Sequence, residues 1–177
     1  MKKIKINKKK GILFWITGLS GSGKTTFGKA IHKDIQKLYG PTLMISGDNI
    51  RKIFYLKGHT KEDRLKILKS YCRFAKFITN QNINLIFAAV GMFNEPRKWN
   101  RKNISNYIEI YIKSNLKEII KLKKKRIYHK KNIQDIVGVD IKPEFPKKPN
   151  ITIINSFDKP KTKIAFQIIK KIKENIA

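Results

Sequence analysis

Residues 11–25 restrict what this chain can fold into more than any other stretch. An apolar run, Gly11-Ile12-Leu13-Phe14-Trp15-Ile16-Thr17, leads directly into Gly18-Leu19-Ser20-Gly21-Ser22-Gly23-Lys24-Thr25, and a helical pattern follows. The run reads as a buried parallel strand. The eight residues after it fit G-x-x-x-x-G-K-[ST]. In that pattern glycines let the backbone wrap a phosphate chain and turn several N–H groups inward at a helix start. Lys24 then reaches the β- and γ-phosphates, and Thr25 offers its hydroxyl to Mg²⁺. The preceding strand and following helix are the context that separates such a loop from an ordinary glycine-rich turn.

The remaining chain repeats the same alternation. A helix from Lys24 to about Tyr39 carries Phe27, Ile31, Ile35 and Leu38 on one face and stops at Gly40-Pro41. Buried strands are expected at 42–46, 83–89, 107–112 and 151–155. Between them lie a short segment near 49–56, a long helix over about 61–81, and a helix opening at Asn94-Glu95-Pro96. The long helix is expected to bury Leu65, Leu68, Cys72 and Phe77. A basic helical stretch covers 115–133, a proline-punctuated loop 138–150, and a closing amphipathic helix 160–176. This predicts an α/β three-layer α/β/α P-loop fold, nucleotide-kinase-like, with a five-stranded parallel sheet. Residues 1–10 read as a basic leader with a frayed start. Residues 11–177 read as one domain, with a basic lid at about 121–135.

Composition limits the partners. Lys+Arg is 41 against 12 Asp+Glu, a formal charge of +29. Only six of the basic residues are Arg, and the lysines are scattered through every segment beside abundant Ile and Asn. Lys, Ile and Asn share A/T-rich codons, so coding bias is sufficient to account for this charge without any function; a polyanionic small substrate is the second reading. Specific duplex recognition favours clustered Arg and a docking motif, and neither is visible. The single cysteine, Cys72, excludes an intramolecular disulfide and fits a reducing cytosol. No apolar run approaches the roughly 20 residues of a membrane span. The chain is therefore expected in the cytoplasm, with no membrane partner and no specific nucleic-acid partner.

The phosphate motif alone leaves GTPase, ATPase and kinase open. No NKxD-like guanine sequence is present. The third strand ends in Ala88-Ala89-Val90-Gly91, without the Asp of a Walker B strand. Asp48, after the second strand, is the better acid, although Asp is also a good helix cap.

From Leu13 to Asn155 the chain resembles the adenylylsulfate (APS) kinase family, which phosphorylates the 3′-hydroxyl of adenosine 5′-phosphosulfate. Phe14-Trp15-Ile16-Thr17-Gly18-Leu19-Ser20-Gly21-Ser22-Gly23-Lys24-Thr25-Thr26 is similar to that family's phosphate loop. Ser46-Gly47-Asp48-Asn49-Ile50-Arg51 resembles D-G-D-N-[VI]-R, and Gly58-His59-Thr60-Lys61-Glu62-Asp63-Arg64 resembles G-F-S-x-x-D-R. Val137-Gly138-Val139-Asp140, with Glu144, Pro146 and Pro149, resembles T-G-I-D and P-Y-E-A-P-x-x-P. The resemblance implies ATP and Mg²⁺ as cofactors and a small nucleotide acceptor. Gly18, Ser20, Gly21, Ser22, Gly23, Lys24, Thr25 and Thr26 would bind the donor, with Thr25 and Asp48 at the metal. Lys24 and Asp48 would be catalytic. Asp48, Arg51, His59, Arg64, Phe93, Arg97 and Lys125 would meet the acceptor, Lys125 and Tyr128 falling near the lid. Family members are commonly homodimers.

The departures fall on the acceptor side. Ser46 replaces an Asp, His59 a stacking Phe, and Ile67 an Asn. Gly91-Met92-Phe93-Asn94-Glu95-Pro96-Arg97 stands where the family has S-P-[FY]-R-A-D-R, keeping Phe93 and Arg97. This pattern resembles a divergent subgroup of surface-polysaccharide pathways, in which one activity phosphorylates cytidine diphosphoramidate. The expected function is thus an ATP-dependent kinase, with APS first and cytidine diphosphoramidate second as acceptor. A polynucleotide-kinase-like or nucleic-acid-binding protein, and a nucleotide-binding protein without transfer, remain the alternatives of other classes.

Overall fold

The structure is a computed structural model that describes residues 3–122 and 135–176. Five strands form the sheet: β1 (Leu13–Thr17), β2 (Thr42–Ser46), β3 (Asn84–Ala88), β4 (Tyr107–Lys113) and β5 (Ile151–Ile154). Their order is β2-β3-β1-β4-β5, and every pair is parallel. Among the described residues the helices are α1 (Lys24–Tyr39), α2 (Gly47–Ile53), α3 (Lys61–Asn80), α4 (Asn94–Asn103), α5 (Leu116–Lys121) and α6 (Lys161–Asn175).

Strand residues point alternately to the two faces, and the core divides accordingly. Phe14, Ile16, Ile86, Ile108 and Ile110 pack with Phe27, Ile31 and Ile35 of α1 and with Ile164, Ile168 and Ile172 of α6. Leu13, Trp15, Leu85 and Phe87 pack with Ile50 of α2 and with Leu68, Tyr71, Cys72 and Ala75 of α3. Each such buried side chain is worth about 1.5–3 kcal/mol in transfer free energy. Both faces are covered over the central strands β1, β3 and β4, which is why these read as unbroken apolar runs, while the edge strands β2 and β5, expected to be buried, leave Leu43 and Ile154 exposed. The expected three-layer sandwich with a five-stranded parallel sheet is the observed architecture.

The differences are local. Leu38 and Phe77 are exposed, at 41% and 62%. Phe77 lies two positions from both Ala75 and Thr79, which hold the buried stripe of α3, so it faces away from the sheet. The basic leader is docked from Ile4 onward: Ile4 N–H donates to Asn175 O at 2.7 Å, and Ile4 pairs with Ile176. Asn106 holds the next turn, its Nδ2 donating to Asn7 O and Lys10 O. Of the basic stretch expected over 115–133, α5 occupies Leu116–Lys121. Most of the expected lid, with Lys125 and Tyr128, lies outside the described residues. Cys72 is core, and burial pushes its thiol up to about 12.

Candidate active site

At its carboxyl end β1 delivers the chain into the turn 18–23. Gly23 closes it with φ +96°, and a methyl group there would sit 2.7 Å from Phe27 Cε2, so only glycine fits. The α1 helix starts at Lys24 with no side-chain cap and no acid in its first turn. Its leading N–H groups and positive dipole end are therefore available to an anion. Lys24 is buried, and its Nζ donates to Leu19 O at 2.7 Å.

A cleft of about 430 Å³ opens over this turn. One wall is Ser20, Gly21, Gly23, Lys24, Thr25 and Thr26, as expected for donor phosphates. Gly18 and Ser22 lie behind that wall; Ser22 is fully buried, and its carbonyl accepts from Asn155 Nδ2 at 3.0 Å. Opposite stand Gly47, Asp48, Ala89 and Val90, and the far end is formed by Asn155, Phe157, Lys159 and Lys161. An uncapped helix start with three lysines around it suits a polyphosphate. The Thr25 hydroxyl and Asp48 carboxylate in the same cleft are the hard oxygen donors Mg²⁺ takes. Among the described residues no three His, Cys, Asp or Glu cluster as a metal cage.

Asp48 also lines a second, narrower cleft with Arg51, Arg64, Ile67, Leu68 and Tyr71, and Gly47, Ala89 and Val90 are shared by both. Asp48 thus stands at the border of the two. It is not the cap of α2: Ser46 is, its Oγ accepting from Asn49 N–H at 3.2 Å. Arg51 Nη1 donates to Leu56 O and Gly58 O at 3.2 and 3.0 Å. Arg64 donates to His59 O through Nε and to Asp135 O through Nη2, both at 2.8 Å. Burial, and then Arg51, press the Arg64 guanidinium down, against the opposing charge of Asp135. These two cations facing one cleft would favour an anionic guest.

His59 is exposed and lines neither cleft. Burial of its ring, followed by the charges of Arg51 and Arg64, lowers its pKa, with Asp135 and Asp63 opposing. Neither Phe93 nor Arg97 lines either of these two clefts. Phe93 is 1% exposed in the core. Arg97 is buried, and its donors are taken: Nη1 by Gly91 O at 2.6 Å, Nη2 by Asn94 Oδ1 at 2.7 Å and Glu144 O at 2.6 Å. Nε faces Glu109 Oε1 at 3.4 Å. The physical cause is Glu109, a carboxylate inside β4 that burial forces to find cations. Arg101 supplies the second, at 2.7 Å.

Sequence reasoning missed Glu109, Tyr71 and the group Asn155, Phe157, Lys159 and Lys161. A lone Glu in the apolar run Tyr107–Lys113 was a usable signal for a buried ion pair. The residues after the last strand sit at the carboxyl edge of the sheet, where open α/β folds bind ligands.

A glycine-rich anion cradle after β1, a parallel sheet in this order and an acid at the β2–α2 junction define a P-loop phosphotransferase. The model of the adenylylsulphate kinase family matches residues 10–154, and the chain belongs to that family. It is 37% identical over 147 residues to the cytidine diphosphoramidate kinase of Campylobacter jejuni, covering 81% of this chain and 85% of that one. It is 31% identical over 176 residues to an adenylyl-sulfate kinase of Clostridium acetobutylicum, covering 97% and 88%. The APS kinase of Mycobacterium tuberculosis, solved with AMPPNP and APS, superposes with a TM-score of 0.82 at 22% identity, covering 93% of this chain and 98% of that one. That likeness is one of fold. The chain thus belongs to a family of kinases, and among the described residues no helix is long and apolar enough to cross a membrane.

Proposed function

We propose that the protein phosphorylates a ribose hydroxyl, the 3′-hydroxyl by family resemblance, of a nucleotide-activated anion, and that cytidine diphosphoramidate is the acceptor. The observation that carries this reading is the position of Asp48 between the lysine-lined cleft and the Arg51–Arg64 cleft. A donor in the first and an acceptor in the second would meet at that carboxylate. The acceptor oxygen attacks the γ-phosphorus, the bond to the ADP oxygen breaks, and Asp48 takes the hydroxyl proton. Lys24 and the first turn of α1 hold the charge that develops on the transferring group. Mg²⁺ bound at Thr25 and Asp48 would neutralise part of the same charge.

The choice of acceptor rests on two supports. Identity is higher to the Campylobacter enzyme than to the clostridial adenylyl-sulfate kinase. Ile67, where the APS kinases carry Asn by resemblance, lines the acceptor-side cleft and offers no hydrogen bond. Adenosine 5′-phosphosulfate is the second reading, favoured by the family description and by several relatives of that name.

Initial rates with each acceptor at saturating Mg·ATP decide between them. A site built for one base leaves donors unpaired with another, so kcat/KM should differ by at least about 10². A ratio favouring APS reverses the choice. Equal, weak rates with both remove both acceptors and leave the donor half of the reaction.

A further inference from the structure

The short α2 helix carries Asp48 on its first turn, yet at seven residues it is far below the length at which a helix holds itself. Its orientation must come from its surroundings. The Ser46–Asn49 cap and the Arg51 bonds to Leu56 and Gly58 are local. Ile50 anchors it by burial. A further bond comes from a separate element: Tyr71 Oη, on α3, donates to Gly47 O at 3.0 Å across 24 residues of chain. Gly47 immediately precedes Asp48.

We infer that Tyr71 is a positioning residue for phosphoryl transfer, its hydroxyl fixing the Gly47 carbonyl and thereby the place of Asp48 between the two clefts. The inference rests on the reading of Asp48 as the acid that accepts the acceptor's proton.

The ring is itself well held. It packs on Phe87 of β3 with centroids 5.1 Å apart, and a methyl group placed on Gly47 would touch its Cε2 at 3.4 Å. Tyr71 is buried and forms part of the acceptor-side cleft beside Asp48 and Arg51. A ring on a twenty-residue helix, seated against the sheet, is a fixed reference for the seven-residue α2. Burial raises the phenol to about 12, the Asp48 charge adding to the rise and Arg51 opposing it. The hydroxyl is thus a donor throughout the working pH range. Position 71 therefore does more than fill the core: a phenylalanine would fill the same space and leave the carbonyl without this donor.

The test is a double-mutant cycle of Tyr71→Phe with Asp48→Asn. It is read on transfer to whichever acceptor is used and on the hydrolysis of Mg·ATP by water, with hydrogen exchange of the α2 amides alongside. Tyr71→Phe should lower kcat roughly 3- to 10-fold, the scale of one neutral hydrogen bond, with KM for ATP within about twofold. In the Asp48→Asn background it should change the rate by less than about twofold, because the two residues act as a unit. The amides of Asn49 and Ile50 should exchange several-fold faster. An equal loss in both backgrounds overturns the inference, as does an unchanged kcat with unchanged α2 exchange. If wild-type protein uses neither acceptor, the proposed acceptor falls, and the cycle on ATP hydrolysis together with α2 exchange still decides the role of Tyr71.

Discussion

Lys24 and Asp48 both line the donor cleft, with opposite demands on their surroundings. Lys24 is 7% exposed, and its ammonium is held by a backbone carbonyl at the mouth of the phosphate turn. Removing a charge aimed at the transferring group in such a site costs about 3–4 kcal/mol of transition-state stabilisation. Lys24→Ala should therefore lower kcat by at least about 10²- to 10³-fold while circular dichroism stays native; near-wild-type turnover would exclude the cradle as a phosphate site. Asp48 is exposed and does not cap its helix. Asp48→Asn should leave the melting temperature nearly unchanged and lower kcat roughly 10²-fold or more. A stability loss without a rate loss would return Asp48 to a structural role. Here the residue types were legible from spacing alone. The partner that capped α2 was not: Ser46 reads in sequence as a missing acid, and only the geometry shows it doing the capping that Asp48 seemed suited to.

At the scale of elements, two features decide whether the clefts keep their shape. The first is the start of α2. Ser46→Ala removes the side-chain acceptor for Asn49 N–H and should cost about 1 kcal/mol, or about 2–4 °C in melting temperature for a chain of this size. Because the frayed turn carries Asp48, kcat should fall with it. The second is the β4–α4 pair. Burial raises Glu109 and lowers Arg97, each cause opposed by the other's charge. The pair is therefore costly to form and costlier to break. Glu109→Gln should destabilise by about 3–5 kcal/mol, because it leaves Arg97 buried with an uncompensated charge. A loss below about 1 kcal/mol on chemical denaturation would show that Arg97 finds another partner or water. Strands were readable because a sheet covered on both faces demands unbroken apolar runs, as at Leu13–Thr17 and Asn84–Ala88. The inward pairing of Arg97 was not legible, because its place at the sheet's carboxyl edge is visible in sequence while the acid that turns it inward lies twelve residues later on another element. Phe77 was misread for a simpler reason: it lies between Ala75 and Thr79 on α3 and so falls off the stripe that those two residues bury.

The whole molecule carries 41 basic side chains and 12 acidic ones, so at least 29 cations have no acid of their own. A chain so charged repels itself, and the repulsion is long-ranged at low salt, with a screening length of about 30 Å at 0.01 M and about 3 Å at 1 M. Three consequences separate a dispersed charge excess from a nucleic-acid-binding surface. If the lysines are a dispersed, coding-driven excess, salt should stabilise the fold: raising NaCl from low to about 0.5 M should lift the melting temperature by a few degrees, about 2–4 °C for each kcal/mol of repulsion relieved. Under the same change KM for ATP should rise, since the cleft with Lys24, Lys159 and Lys161 attracts the polyphosphate electrostatically. Single-stranded or duplex nucleic acid, added at low salt, should bind weakly and lose affinity steeply with salt, without becoming a phosphate acceptor. The decisive measurement is transfer of labelled γ-phosphate to oligonucleotide ends beside transfer to the small nucleotide. Incorporation into the oligonucleotide at a comparable rate would overturn the small-molecule reading. Incorporation confined to the small nucleotide, with binding to the oligonucleotide abolished by about 0.2 M salt, is the outcome expected of a site whose specificity resides in one narrow cleft beside Asp48 and not in the charge of the surface.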